Sequence, residues 1–143
     1  MNKTGFGFLR LPRLDKNDEK SVDYTILNQM VDTFLEKGGT YFDTALMYCG
    51  KQSEAAVKEF LTSRHPRDSF TLATKLHSGF FNSLEDRDEV FAAKLEKTGA
   101  EYFDYYLIHA IDRNCYEKYT RLDCFNWLAE KKAQGLVKHM GFS

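Results

Sequence analysis

Three short apolar runs in this chain each finish on an ionisable residue: Tyr41 to Asp43, Phe70 to Lys75 and Tyr105 to His109. Between them the apolar residues switch to a helical spacing, so strands and helices alternate at intervals of roughly thirty residues. Consecutive strands joined through a helix run parallel, because the helix carries the chain back to the end where the last strand began. The carboxyl ends of such strands emerge together, and Asp43, Lys75 and His109 stand at three of them. Tyr48 follows Asp43 by five positions in a loop-like segment, close enough to reach the same rim.

The remaining stretches complete the alternation. Gly5 to Pro12 alternates in part and stops at a proline, which predicts a first strand or hairpin arm; residues 13–22 are polar and read as a surface connection. Leu27, Met30, Val31, Phe34 and Leu35 form one apolar stripe of a helix, with Asp23 as its N-cap and Gly38-Gly39 as its stop. A second helix starts at Ser53, with Glu54 favourable in its first turn, and ends at His65-Pro66. A third follows Ser83, turns Val90, Phe91 and Leu95 inward and stops at Gly99. Polar residues after Ile111 read as a connection to a fourth helix, which carries Leu122, Phe125, Leu128 and Ala129 on one face and ends at Gly135. Leu136 to Ser143 is the fifth strand. The order is β(αβ)4, which an open doubly wound sheet and a (β/α)8 barrel both accommodate. The early glycines do not form G-x-G-x-x-G ahead of a helix, so that dinucleotide fingerprint is absent.

Composition narrows the function. A hydrophobic fraction of 43% and a charged fraction of 29% describe a globular domain, and 143 residues suit one domain. The 20 basic and 21 acidic residues are interspersed, which speaks against a nucleic-acid or membrane-surface role. Cys49, Cys115 and Cys124 are widely spaced, with no C-x-x-C pair and no zinc-like Cys/His spacing; they read as free thiols of a cytoplasmic protein. No metal within the chain is expected.

Taken singly, Asp43 reads as a turn cap, Tyr48 as a packing residue, Lys75 as a solvated strand end and His109 as a core histidine. Taken together with their neighbours they resemble the aldo/keto reductase family. The matching stretches are Asp43-Thr44-Ala45 with Tyr48 and Ser53-Glu54, Ala73-Thr74-Lys75, Asp104 to His109, and Gln134 to Ser143. They follow the family's order and spacing over nearly the whole chain, and look most like the bacterial branch whose longer members often carry a C-terminal iron–sulfur segment. The resemblance implies an α/β fold of the (β/α)8 TIM-barrel type. Such a barrel needs about 250 residues, so residues 1–143 would supply its first β(αβ)4 portion, an incomplete barrel whose open sheet edges invite self-association.

The resemblance also implies reversible hydride transfer between NADP (or NAD) and the carbonyl of a small aldehyde or ketone. Tyr48 would be the general acid, Lys75 would favour the phenolate that proton donation leaves, Asp43 would hold Lys75, and His109 would place the carbonyl. Ser143 would touch the nicotinamide amide. Elementary electrostatics agrees: an ammonium at about 4 Å in an effective dielectric of about 20 favours a phenolate by at most roughly 4 kcal/mol. A buried ammonium tends to lose its proton, and a neighbouring carboxylate opposes that loss. The alternatives are a non-catalytic half-barrel serving as an assembly module, and a Schiff-base lysine enzyme that would not require Asp43 and Tyr48 at this interval. His77 and His139 read as surface or loop residues, and Phe80 and Phe81 as pocket or rim.

Overall fold

The computed structural model describes residues 4–143. Five strands form one sheet: β1 (Gly5–Gly7), β2 (Tyr41–Asp43), β3 (Thr71–His77), β4 (Phe103–His109) and β5 (Val137–Phe142). They lie side by side in chain order and every pair is parallel. A doubly wound sheet reverses its strand order at a switch point. No reversal occurs here, so the architecture is that of a (β/α) barrel in its first five strands. Among the described residues β1 pairs only with β2 and β5 only with β4, which leaves one edge of each without a strand partner.

The helices are α1 (Tyr24–Glu36), α2 (Ser53–Val57, continued by a π turn over Lys58–Thr62), α3 (Leu84–Thr98), α4 (Arg113–Arg121) and α5 (Cys124–Ala133). Their boundaries follow from capping chemistry. The Asp23 carboxylate accepts the Ile26 N–H at 3.0 Å, and the Ser83 hydroxyl accepts that of Asp86 at 3.0 Å. Gly99, at φ 63°, ends α3 in the left-handed conformation that glycine adopts without strain.

Two expectations need correction. The first strand is three residues long rather than eight, since the chain enters a turn after Gly7, with the Phe8 N–H as its last bond to Asp43. The polar segment after Ile111 is a helix, α4, whose first turn is held by Asp112 Oδ1 accepting the N–H groups of Asn114 and Cys115. Tyr119 is its one buried residue, so α4 lacks the apolar stripe by which a helix is read from sequence.

Adjacent residues on each strand face opposite ways. Phe42, Leu72, Leu76, Tyr106 and Ile108 turn to the helices and are buried, together with Leu27, Val31, Phe91, Trp127 and Leu128 from the helix layer. Tyr41, Asp43, Tyr105 and His109 turn to the other side and are only partly covered. Gly5 is required there, because a Cβ at that position would meet the Tyr41 ring at 2.8 Å. Among the described residues no helix is long and apolar enough to cross a membrane.

Candidate active site

Asp43 ends β2, Lys75 lies near the end of β3, and His109 ends β4. The register climbs from strand to strand: Asp43 is level with Ala73, Lys75 with Leu107, and His77 with His109. The inner-face residues of β2, β3 and β4 therefore form a rising staircase at the carboxyl rim. Ser143, just beyond β5, bonds the Ile108 carbonyl through its N–H at 3.0 Å and accepts the Ile111 N–H at 2.9 Å, which holds it beside His109.

Lys75 is the buried centre, 6% exposed. Its ammonium donates to both Asp43 carboxylate oxygens at 2.7 Å and to the Thr44 carbonyl at 3.0 Å. Three acceptor oxygens match the three N–H bonds of an ammonium, which fixes the group in direction. The Tyr48 ring lies against it, with Nζ 4.9 Å from the ring centroid, and the same ring meets His109 edge-on at 6.2 Å. Asp43, Tyr48, Lys75 and His109, the candidate catalytic residues of the sequence, thus meet at one place.

Tyr48 opens a tight 3-10 turn, Tyr48–Lys51, in which Cys49, Gly50 and Lys51 all have positive φ. Two of these are not glycines, so the turn holds a conformation that L residues adopt only when their surroundings impose it. The constraint is visible. The Thr44 and Ser53 hydroxyls are 2.6 Å apart and buried, closing the two ends of the loop, and the Cys49 thiol donates to the Leu9 carbonyl at 3.4 Å.

His109 is partly covered, and burial first, then the nearby charge of Lys75, lowers its pKa from 6.5 to about 4. At neutral pH its ring is uncharged and carries one N–H donor. Its Nδ1 is buried and has no hydrogen-bond partner among the described residues. A neutral imidazole at a rim next to an ammonium-backed phenol can orient a polarised oxygen without adding a charge of its own.

His77 does not lie at the surface away from this site, as its isolation in the sequence predicts. It packs at 5.3 Å against His109 and at 5.7 Å against Phe80, and lines a narrow cleft with Lys75, Lys94 and His109. The even spacing of Lys75 and His77 on one strand face was the signal for it. Phe80 flanks this cleft, whereas Phe81 is 1% exposed and belongs to the core. His139 stacks on Tyr105 at 5.0 Å on the inner face of the sheet.

Glu54 is more than a favourable first-turn residue. It is 1% exposed, and its Oε1 accepts from Lys94 of α3 at 2.6 Å and from Thr74 at 3.2 Å. Nothing in a single sequence pairs position 54 with position 94, since the contact spans two helices. Among the described residues no group of three or more His, Cys, Asp or Glu side chains is placed to hold a metal ion.

The sequence profile of the aldo/keto reductase family matches residues 5–143. The chain belongs to the aldo/keto reductase family. Among similar proteins, aryl-alcohol dehydrogenase [NADP(+)] of Phanerodontia chrysosporium is 28% identical over 131 residues, covering 80% of this chain and 33% of that protein. Norsolorinic acid reductase B of Dothistroma septosporum is 33% identical over 93 residues, or 56% of this chain and 24% of that protein. The solved holo form of an aldo-keto reductase from Bacillus halodurans superimposes with a TM-score of 0.75 at 26% identity, covering 97% of this chain and 45% of that chain. This aldo/keto reductase sequence thus spans a third or less of those curated relatives and about half of that solved structure.

Proposed function

We propose that residues 1–143 form the amino-terminal part of one aldo/keto reductase barrel, and that this barrel reduces the carbonyl of a small aldehyde or ketone reversibly at the expense of a nicotinamide cofactor. The observation that carries the reading is the Lys75 ammonium: held by three acceptors and set against the Tyr48 ring, it is ready to oppose the negative charge a phenol acquires on giving up its proton. The cofactor, when bound, supplies the hydride. Charge then builds on the carbonyl oxygen, and Tyr48 donates the proton that neutralises it. Asp43 keeps Lys75 charged and aimed. His109, uncharged at neutral pH, donates its N–H to the same oxygen and fixes the carbonyl before proton transfer.

The rim residues fit the nicotinamide end of such a cofactor. Ser143 is exposed beside His109 and offers a hydroxyl to a carboxamide, and the inner-face ring of Tyr105 lies one layer below. NADP is favoured by the name of the fungal aryl-alcohol dehydrogenase. Binding of its phosphates and adenine is assigned to barrel units outside these residues, so the 143 residues alone should bind NADPH weakly and turn over little.

A second reading, a non-catalytic half-barrel that works by association, draws on the two open edges. Beside β1 lies a concavity of about 540 Å³ lined by Phe6, Ile26, Met30 and Phe34, and beside β5 one of about 480 Å³ lined by Ile111, Phe125 and Phe142. Either the rest of a barrel or a second copy could cover them.

The test is Tyr48→Phe in a full barrel carrying these residues. Carbonyl reduction should fall by about 10³-fold or more, as expected for loss of the acid, while NADPH binding, followed by fluorescence quenching, stays within about twofold of wild type because the phenol touches no phosphate. Retained turnover would remove Tyr48 from the role of acid, and a full barrel that binds NADPH but reduces no carbonyl would favour the second reading.

A further inference from the structure

α4 is a polar helix that buries one residue, Tyr119, and buries it completely. The ring packs on Phe81, a contact phenylalanine would make as well. The hydroxyl does something else. It accepts the Ser78 N–H at 2.8 Å, donates to the His109 carbonyl at 2.7 Å, and has the Leu76 carbonyl within reach at 3.2 Å. One oxygen thus touches the backbone at the carboxyl ends of both β3 and β4. Lys118, its neighbour, donates to the Ser78 carbonyl at 2.6 Å and to Asn82 Oδ1 at 2.9 Å, securing the same loop from the surface side.

The turn that follows His109 needs such support. Ala110 has φ 52°, a left-handed conformation that an L residue seldom holds unaided. Its carbonyl accepts the Cys115 thiol at 3.1 Å, and the Ile111 N–H donates to the Ser143 carbonyl at 2.9 Å. The first turn of α4 therefore holds the residue after His109, and the second turn of α4 holds His109 itself.

We propose that Tyr119 is a positioning residue whose hydroxyl clasps the ends of β3 and β4 together, and so sets where the His109 ring stands relative to Lys75 and Tyr48. Burial adds to the device by raising the Tyr119 pKa to about 12, so the phenol keeps the proton it donates. The groups facing His109 are Tyr48 from the loop after β2, Lys75 and His77 from β3, and Lys94 from α3, with Asp43 behind Lys75. Its titration reports its place among them.

The experiment is Tyr119→Phe in the 143-residue chain, with the imidazole titrations of His65, His77, His109 and His139 followed by NMR. The clasp predicts a His109 midpoint near 4 in the wild type, and a rise of one unit or more in the variant as the ring moves and hydrates. His65 and His139, remote from the clasp, should not move. Phe81→Leu removes packing from the same ring but keeps the hydroxyl, and should leave the His109 midpoint in place. A His109 midpoint unchanged by Tyr119→Phe overturns the proposal and makes Tyr119 an ordinary core residue. If the variant unfolds, the titration is repeated in a stabilising osmolyte; a chain that osmolyte does not refold also overturns it, because a clasp confined to the rim leaves the core able to form. A kinetic arm rests on the reductase reading: in an active full barrel the variant should lose about 10- to 100-fold in kcat/KM for the carbonyl with unchanged NADPH affinity. The titration needs no turnover, so failure of the reductase reading leaves it standing, and failure of the titration leaves the reductase reading intact.

Discussion

The two faces of the sheet are made by neighbouring residues yet behave as different materials. On the helix side Phe42, Leu72, Leu76, Tyr106 and Ile108 are all at or below 1% exposure, while on the inner side Tyr41, Asp43, Tyr105 and His109 stay partly open. Two lysine–carboxylate pairs of nearly the same length stand on opposite faces: Lys94 to Glu54 at 2.6 Å among the helices, Lys75 to Asp43 at 2.7 Å at the rim. Their surroundings differ. The first pair is 2% and 1% exposed, and Glu54 Oε2 has no partner among the described residues; the second is 7% and 27% exposed, and both Asp43 oxygens bond the ammonium. Among the helices desolvation dominates, and lowers the Lys94 pKa despite its partner. At the rim the carboxylate keeps access to water. A lysine and an acid at contact distance therefore identify neither a structural nor a functional pair; what surrounds them does.

The largest test of that contrast is Lys94→Met. It strands the Glu54 carboxylate in the core and should cost about 3–5 kcal/mol in urea unfolding. Adding Glu54→Leu should restore most of it, since a well-packed apolar pair of similar volume replaces a buried ion pair at little net loss. A single variant as stable as wild type would show that this pair is no more desolvated than the rim pair.

At the rim the corresponding change, Asp43→Asn, should be milder. The amide oxygen can still accept from Lys75 and the Thr44 carbonyl remains, so about 1.5–3 kcal/mol is expected for the lost charge-assisted bonds. On the proposed reductase reading, the same variant should suppress turnover in a full barrel far more than it suppresses folding. Equal stability losses for the two lysine–carboxylate pairs would erase the distinction between the faces.

How much of this was legible beforehand follows the same division. The order of strands and helices, and the meeting of Asp43, Lys75 and His109 on one rim, come directly from period-two and period-3.6 patterning, because strand ends on a parallel sheet have nowhere else to go. The five-residue spacing from Asp43 put Tyr48 within reach of that rim, but its role as an acid needed the family resemblance, since a loop residue carries no periodicity of its own. α4 was missed because it has no apolar stripe, and Tyr119 with it; a lone tyrosine in a polar segment looks like surface until the helix docks. Glu54 was read for its favourable place in a first helical turn and as part of a family motif, but not as the partner of Lys94, because that lysine lies on another helix and long-range pairing leaves no mark on a single sequence.

A pH series separates the faces without touching the core. The His109 pKa is about 4 in the folded chain against an ordinary 6.5. Between those values the unfolded chain takes up a proton that the folded one refuses, so stability is full above pH 6.5 and declines as the pH falls toward 4. The ring is only partly buried, so the decline should be only about 1 kcal/mol once solvent screening is allowed for. In His109→Asn that portion of the pH dependence should vanish. A variant with the same slope as wild type would assign the slope to other groups and leave His109 titrating as in water.

The smallest expected effect has the opposite sign. Tyr106, on the helix side of β4, is fully buried, and its hydroxyl has no hydrogen-bond partner among the described residues. Burial raises its pKa well above the ordinary value, with the Glu54 charge the next cause, so the group stays a neutral phenol. A buried hydroxyl without a partner forgoes the bonds it made in water, while the ring earns its keep against Phe91, Phe103 and Trp127. Tyr106→Phe preserves those ring contacts and removes the unsatisfied group, so it should stabilise the chain by about 0.5–1 kcal/mol, less than the full desolvation term because the oxygen's packing contacts go with it. Tyr48→Phe, the same chemical change on the inner side, should leave stability nearly unaltered, since that ring is partly exposed and its hydroxyl is not a buried orphan. A destabilised Tyr106→Phe would mean that the hydroxyl is satisfied in solution, and that the helix-facing side admits polar partners much as the rim does.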